Sequence, residues 1–222
     1  MAKTFLIFDC DGVLVDSEIL VTRIVLRMLA EQGVVMEESV FCQRYTGMME
    51  ADIFQDIEAR YDVRLSDDFR ATQQTLAHRA MLEELEAISG MPELVRSLET
   101  PRAVASNSTV PHVIHALERA GIRAVFEDRI FSSTHVARPK PAPDVYLHAL
   151  QQLGLHPAEV LVIEDSLTGA AAARAAGLAV IGFLGAAHIF EGHGAALRAL
   201  GVDEIAADAA ELRQVLRKWG IR

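Results

Sequence analysis

The chain has 222 residues, of which 51% are hydrophobic, and its formal net charge is −10. A chain of this length and apolar content can form one large domain, or one core with a small insertion. Its acidic balance argues against a nucleic acid or an anionic membrane as a partner, because both bind basic surfaces. No apolar run reaches the length that spans a bilayer.

The first predicted element is a buried strand over Phe5–Phe8, where four apolar residues are followed by an abrupt polar turn. Asp9 and Asp11 come next, and their spacing of two points both side chains to the same side of the chain. Two carboxylates held this close repel each other unless a cation or a shared proton intervenes. The pair is therefore the first candidate for a metal-assisted active site, although an isolated Asp-x-Asp is also common at strand ends.

Residues 17–88 show helical periodicity without a convincing strand. The sequence Ser-Gly-Met-Pro at 89–92 marks a boundary, because proline suits the first turn of the next helix. We therefore expect 17–88 to form a helical cap that is inserted into a discontinuous core made of 1–16 and 89–222.

Beyond residue 88, strand-like and helix-like segments alternate, which is typical of a parallel sheet flanked by helices. The predicted strands cover 102–106, 129–132, 160–165 and 179–183, and the predicted helices cover 110–120, 143–153 and 167–176. The expected fold is α/β: a Rossmann-like parallel sheet core with helices on both faces, plus a small inserted α-helical cap.

Three further polar clusters follow in this part of the chain. Ser106 and Asn107 begin a loop that can cap the next helix or direct backbone N–H groups at an anion. Lys140 lies between two prolines, which restrain the backbone around it; a solvated turn lysine is the alternative interpretation. Glu164 and Asp165 end an apolar strand typical of a sheet centre, and a helix-capping role would explain Asp165 more easily than Glu164.

The carboxyl ends of parallel strands converge on one crevice, which is the usual ligand site of such sheets. The four clusters would face each other there and would together offer acids, hydroxyls and one lysine. This set suits a divalent cation that bridges to a phosphate, because Mg²⁺ takes carboxylate and phosphate oxygens.

The four motifs, in this order along the chain, closely resemble those of the haloacid dehalogenase superfamily of phosphotransferases. Within that superfamily the chain looks like the beta-phosphoglucomutase-like group, which has a small helical cap. The matching segments are Asp9–Glu18, Ser106–Ser108, Lys140–Asp144 and Ile163–Ser166, with Gly169 and Ala175–Gly177. The resemblance implies an Mg²⁺-dependent phosphatase that hydrolyses a small phosphomonoester, a sugar or sugar-acid phosphate, through an aspartyl-phosphate.

The resemblance also implies a role for each residue. Asp9 would be the nucleophile, and Asp11 would protonate the leaving alkoxide and then activate water. Ser106 and Asn107 would bind phosphate oxygens, and Lys140 would offset the phosphate charge and take part in catalysis. The metal ligands would be Asp9, the Asp11 carbonyl oxygen, and one or both of Glu164 and Asp165.

In the resembled family a cap loop carrying a glycine approaches the substrate, and the best match here contains Arg44 and Gly47. Mutases of the group have a basic residue shortly after this glycine, whereas this chain has Met48-Met49-Glu50. A phosphatase is therefore preferred, and a beta-phosphoglucomutase-type mutase stays the alternative because Arg44 could reach across the loop. A dehalogenase would need neither Asp11 nor a metal, so the presence of Asp11, Glu164 and Asp165 argues against it. An inactive binding module would be expected to lack an essential group, whereas this chain has all of them.

The two cysteines, Cys10 and Cys42, form no metal or redox motif, so we expect packing roles and a reducing cytoplasm. The start of the chain lacks the pattern of a secretory signal peptide. The eight histidines show no metal-ligand spacing, and surface or core roles are expected for them. The expected partner is a small phosphorylated metabolite bound by a monomer, with neither nucleic acid nor membrane involved.

Overall fold

A sheet of six parallel strands runs through the computed structural model, which describes residues 3–46, 48, 50–66 and 68–222. The strands are β1 (Phe5–Phe8), β2 (Arg102–Ser106), β3 (Ile130–Ser132), β4 (Val160–Glu164), β5 (Ala179–Phe183) and β6 (Glu204–Ala206). Their order across the sheet is β3-β2-β1-β4-β5-β6, so β1 and β4 are central. Both strands are buried along their whole length, as their apolar sequences require.

Between β1 and β2 the chain forms a group of helices with an apolar centre of its own. These helices are α1 (Ser17–Glu31), α2 (Glu38–Tyr45), α3 (Glu50–Tyr61) and α4 (Phe69–Glu83). Leu29, Tyr45 and Ile57 are among its most deeply buried side chains. The described residues from 17 to 86 contain no strand, in agreement with the helical periodicity. We propose that this segment, to residue 88, is a cap inserted into the core.

The two faces of the sheet are covered by separate apolar layers. Side chains alternate along β1, so Leu6 and Phe8 join one layer whereas Phe5 and Ile7 join the other. The remaining helices are α5 (Met91–Ser97), α6 (Val110–Arg119), α7 (Arg123–Phe126), α8 (Asp144–Leu153), α9 (Leu167–Ala175), α10 (His193–Ala199) and α11 (Ala209–Lys218), with 3₁₀ turns at Ser133–His135 and Pro157–Glu159. Helices α5, α6 and α11 pack in the first layer, and α8, α9 and α10 pack in the second.

The predicted α/β fold is confirmed, and α5 begins at Met91 with Pro92 in its first turn, as the boundary at 89–92 suggests. The elements predicted from the sequence end at residue 183, whereas α10, β6 and α11 lie beyond it. Strand β6 has three residues at the sheet edge, and Glu204 is one of them, so it lacks a readable apolar pattern. Among the described helices, none is both long and apolar enough to cross a membrane.

Candidate active site

The carboxyl ends of β1, β2 and β4 bring the predicted motifs together. Phe8 pairs with Val104 in β2 and with Ile163 in β4, so the polar residues that end the three strands meet at one edge. The backbone amide of Asp9 donates to the Ile163 carbonyl at 2.9 Å, which extends this pairing past the end of β1. The expected convergence of strand ends therefore exists in the structure.

Lys140 lies at this edge as a buried cation. Its Nζ donates to Asp9 Oδ1 at 2.9 Å, to Glu164 Oε1 at 2.7 Å and to the Ala105 carbonyl at 2.9 Å. Burial disfavours the charge, but the two carboxylates outweigh this and raise the pKa of Lys140 well above its ordinary value. The residue is 5% exposed, so it is not a solvated turn lysine. All three N–H donors of the ammonium group have protein acceptors, so in this arrangement Lys140 acts through its charge.

Contacts with Asn107 and Glu164 hold Lys140 in place. The side chain of Asn107 accepts from the Lys140 backbone N–H at 2.9 Å and donates to the Lys140 carbonyl at 3.1 Å. Glu164 is fully buried, and its Oε1 also accepts from the Tyr146 hydroxyl at 3.1 Å. Its Oε2 accepts from both the backbone N–H and the hydroxyl of Ser166 at 3.0 Å. Protein donors thus engage both oxygens of Glu164. The carboxylate that is fixed in this way in turn positions Lys140.

Three buried carboxylates lie close enough together to share a metal ion. Oxygen atoms of Asp9, Glu164 and Asp165 lie within 4.8 Å of one another, and Oδ1 of Asp165 has no hydrogen-bond partner among the described residues. Burial raises the pKa of Asp9 and of Asp165 well above the usual range, and neighbouring carboxylates add to this rise. Lys140 offsets one of the three negative charges. A divalent cation would offset the rest, and the all-oxygen donor set fits Mg²⁺.

Two glycines allow the acids to approach the backbone. Gly12 has a φ of +78°, and a Cβ added there would lie 2.6 Å from Cγ of Asp165. A Cβ added at Gly169, in the first turn of α9, would overlap the carboxylate of Glu164. The hydroxyl of Ser166 caps α9 by accepting from the Gly169 N–H at 2.9 Å. A larger residue at either glycine would displace an acid from the site.

Hydrogen bonds hold both oxygens of Asp11. Its Oδ1 accepts from the Ser17 hydroxyl at 2.7 Å and lies 3.0 Å from Nε2 of His112. Its Oδ2 accepts from the Ser108 hydroxyl at 2.7 Å. Burial alone would raise the pKa of Asp11, but these hydrogen bonds outweigh it and hold the pKa below its usual range. The contact with Asp11 raises the pKa of His112, so an ionised carboxylate lies beside a ready proton donor.

A cavity of 480 Å³ lies between this edge and the cap. Glu18 and Thr46 line it from the cap, and the lining also includes His188 of the loop after β5 and His193, the first residue of α10. Nε2 of His188 lies 3.3 Å from Asp165 Oδ2, and Nε2 of His193 lies 2.6 Å from the Asp165 carbonyl oxygen. The expectation of surface or core roles does not foresee that these two buried histidines, like His112, form part of the cavity wall. Their position after the carboxyl end of a predicted strand is the signal that could have identified them.

The predicted cap contact Arg44 does not reach this cavity. Arg44 is exposed in the last turn of α2, and the described residues that line the cavity do not include it. Its neighbour Tyr45 is buried in the cap centre, and successive helical residues point about 100° apart, so Arg44 stays at the surface. Thr46 and Met48 line the cavity instead. Gly47, the other predicted cap residue, lies outside the described residues.

The sheet, its ordered polar edge and the buried acids define a hydrolase of the haloacid dehalogenase type. The sequence model of haloacid dehalogenase-like hydrolases matches residues 6–183, and the chain belongs to this family. The 6-phosphogluconate phosphatase of Escherichia coli (strain K12) is 28% identical to it over 186 residues, 82% of either chain. Fructose-1-phosphate phosphatase YqaB of the same organism is 31% identical over 177 residues, 78% of this chain and 92% of that one.

A solved structure gives the same result for the fold. The crystal structure of a HAD family hydrolase from Deinococcus radiodurans R1, with bound phosphate and sodium, matches with a TM-score of 0.91 and 34% identity. The match covers 99% of this chain and 97% of that one. These similarities confirm the resemblance drawn from the motifs and the prediction of a phosphoric monoester hydrolase of this type.

Proposed function

We propose that this chain is an Mg²⁺-dependent phosphatase that hydrolyses the phosphomonoester of a small sugar or sugar acid through an aspartyl-phosphate on Asp9. The observation that carries the proposal is the contact of 2.9 Å between Asp9 Oδ1 and Lys140 Nζ, beside the buried acids Glu164 and Asp165. An anionic nucleophile that attacks a phosphate needs this kind of charge compensation. The names of the two phosphatase relatives support the substrate class, and the two unpaired cysteines suit a reducing cytoplasm.

In the proposed first step, Asp9 attacks phosphorus, and the bond from phosphorus to the leaving oxygen breaks. The Ser106 hydroxyl and the Asn107 backbone N–H bind phosphate oxygens, while Lys140 keeps positive charge beside the nucleophile. Asp11 protonates the leaving alkoxide and takes a proton from the water that cleaves the aspartyl-phosphate. The hydrogen bonds to Asp11 keep it ionised, as a base must be, and His112, whose pKa is raised by its contact with Asp11, is a source for the proton of the first role.

The ion would be held by Asp9, Asp165 and the carbonyl oxygen of Asp11, with Glu164 adjacent. It would supply positive charge to the phosphate oxygens. The unpartnered Oδ1 of Asp165 is the atom of this chain that most directly fits such a role.

The experiment that tests the function is phosphate release from a panel of phosphorylated metabolites, with and without Mg²⁺. We expect release from sugar monophosphates only when the cation is present. Incubation with beta-glucose 1-phosphate and catalytic glucose 1,6-bisphosphate separates the phosphatase from the mutase. Rapid formation of glucose 6-phosphate with little free phosphate would overturn the phosphatase in favour of the mutase.

A further inference from the structure

Two buried histidines contact Asp165 from the segment that joins β5 to α10. His188 and His193 are 4% and 3% exposed, and the phosphoryl-transfer steps proposed above use neither of them. A polar ring in the interior needs a compensating contact, since an unpaired polar atom destabilises the fold. In both residues that contact is made to Asp165, a proposed ligand of the metal ion.

His193 holds the backbone of Asp165. Its Nε2 lies 2.6 Å from the Asp165 carbonyl oxygen, and because a carbonyl oxygen only accepts, the ring donates its Nε2–H in this contact. The Phe190 ring packs edge-on against the His193 ring, with the two centroids 5.2 Å apart. Asp165 directly follows Glu164, the last residue of β4. The hydrogen bond therefore fixes the chain at the point where it leaves the strand.

His188 lies beside the carboxylate of the same residue. Its Nε2 is 3.3 Å from Asp165 Oδ2. On another side its ring approaches the turn after β1, because a Cβ added at Gly12 would lie 3.0 Å from Cε1 of His188. That Cβ would also overlap the carboxylate of Asp165. The histidine ring and the Gly12 backbone thus restrict the positions that this carboxylate can take.

The segment that carries the two rings is itself anchored. The backbone N–H of Ala187 lies 3.2 Å from each carboxylate oxygen of Asp16. The backbone N–H of His193 donates to the Phe190 carbonyl at 3.2 Å. Both rings are therefore presented to Asp165 by backbone that has contacts of its own.

The geometry favours support of a metal ligand over ligation by the histidines. Among the described residues, ligand atoms that all lie within 4.8 Å of one another come from Asp9, Glu164 and Asp165, and the group includes neither histidine. Mg²⁺ also prefers oxygen ligands. Partners that orient the ligands of a metal contribute strongly to its binding, and their loss typically costs about 10- to 100-fold in affinity.

We propose that His188 and His193 are positioning residues for Asp165 and that they set the affinity of the site for Mg²⁺. His193 fixes the backbone from which the carboxylate extends, and His188 restricts the carboxylate itself. The inference rests on the Mg²⁺ dependence proposed above, and it adds two residues from outside the sequence motifs to that site. Their loss should weaken binding of the ion and leave the chemical steps intact once the ion is bound.

Titration of the metal-free protein with MgCl₂ alone, followed by isothermal titration calorimetry, tests the inference without substrate. We expect His193→Ala to raise the Kd for Mg²⁺ by at least about tenfold, because the backbone of Asp165 loses its support. His193→Gln keeps a side-chain N–H that can donate to the same carbonyl, and its Kd should stay within about threefold of the wild type. His188→Ala should raise the Kd by a smaller factor, since its contact is longer.

Two control variants separate positioning from stability. Leu216→Ala removes a buried side chain of α11 and should lower Tm without changing the Kd for Mg²⁺. His78→Ala removes an exposed imidazole of α4 and should change neither value.

Kinetics provide a second measurement. In hydrolysis of p-nitrophenyl phosphate, His193→Ala should raise the Mg²⁺ concentration that gives the half-maximal rate. The kcat at saturating Mg²⁺ should stay within about threefold of the wild type, because the variant removes no group that touches the substrate.

The outcomes separate this inference from the function on which it rests. A wild-type Kd in His193→Ala would overturn the inference and leave the phosphatase standing. An equal rise of Kd in Leu216→Ala would show that the affinity follows stability alone, with the same consequence. A wild-type protein that binds no Mg²⁺ and releases phosphate at its full rate in EDTA would overturn the metal dependence of the proposed function, and the inference with it.

Discussion

The catalytic edge of the sheet and the cap cavity are built in contrasting ways. At the edge, Lys140, Glu164 and Asn107 satisfy one another, so their geometry is fixed before any substrate arrives. The cap cavity, of 220 Å³, has a mostly apolar wall that includes Phe41 and Phe54, and the buried side-chain oxygen of Gln73 behind it has no partner among the described residues. The edge is thus organised for one reaction, whereas the cap is held together mainly by apolar contacts. Substitutions at the edge should slow the reaction of every substrate, and those in the cap should change the ranking of substrates.

The largest effect is expected for Asp9→Asn, because the amide keeps the volume of the nucleophile and removes its reactivity. Turnover of all substrates should fall by at least about 10³-fold, a barrier increase of about 4 kcal/mol. Phosphate release and a circular dichroism melt measure the two consequences, and Tm should not fall, since a buried charge is removed. Asp128→Asn, at a fully exposed side chain, is the control. Residual activity within about tenfold of the wild type would exclude Asp9 as the nucleophile.

Metal removal comes next and should also affect all substrates alike. Exhaustive EDTA treatment should lower kcat by at least about 100-fold, because the charge on the phosphate would be left to Lys140 alone. Added Mg²⁺ should restore the rate, and Asp165→Asn should weaken that restoration because the amide has no negative charge and one oxygen fewer for the ion. Undiminished activity in EDTA would argue against the metal site and would bring back the dehalogenase alternative.

A smaller and more selective effect is expected for His112→Ala. Nε2 of His112 contacts Asp11 Oδ1, so its loss should disturb proton transfer to the leaving group. Hydrolysis of sugar phosphates, whose alkoxides need a proton, should fall by about tenfold or more, whereas p-nitrophenyl phosphate, whose phenolate does not, should be affected less. His112→Gln retains an N–H donor and should recover part of the rate, and His115→Ala on the same helix is the control. An equal loss for both substrates would mean that His112 serves the fold alone.

The sequence predicts the edge far better than the cap, for a physical reason. Apolar runs such as Val160–Ile163 identify central strands, and the polar residues after them converge because parallel strands end at one edge. The motifs therefore give Asp9, Lys140 and Asp165 as neighbours, which they are.

The remaining features depend on contacts between distant segments. His112 approaches Asp11 only because α6 begins beside the end of β1, and His188 arrives on the loop after β5. Gln73 is one of two adjacent glutamines, and only the packing of α4 decides which of them is buried. Local pattern carries no information on such contacts, so neither the partners of Asp11 nor the burial of Gln73 follows from it.

The smallest expected effect is on the pH dependence of Tm in the metal-free protein. It distinguishes the carboxylates of the sheet edge from the cap without an activity measurement. Burial, opposed by Lys140 and assisted by neighbouring acids, raises the pKa of Asp9; burial and Glu164 raise that of Asp165. An acid with a raised pKa binds its proton more tightly when folded, so the stability that this provides is complete at acid pH and is lost as the pH rises through the raised pKa.

The Tm of EDTA-treated protein should therefore fall as the pH rises from about 5 to about 8, by a few degrees. Added Mg²⁺ should raise Tm more at the upper end, because the ion binds the ionised carboxylates. Asp165→Asn should flatten the pH dependence of Tm, whereas Gln73→Leu should shift the whole curve and leave its slope unchanged, since no cap acid is altered. A Tm that rises over this range in EDTA would contradict the pKa directions. A change of slope in Gln73→Leu would show that the cap cavity and the acids at the sheet edge are coupled, and the contrast between the two regions would then have to be given up.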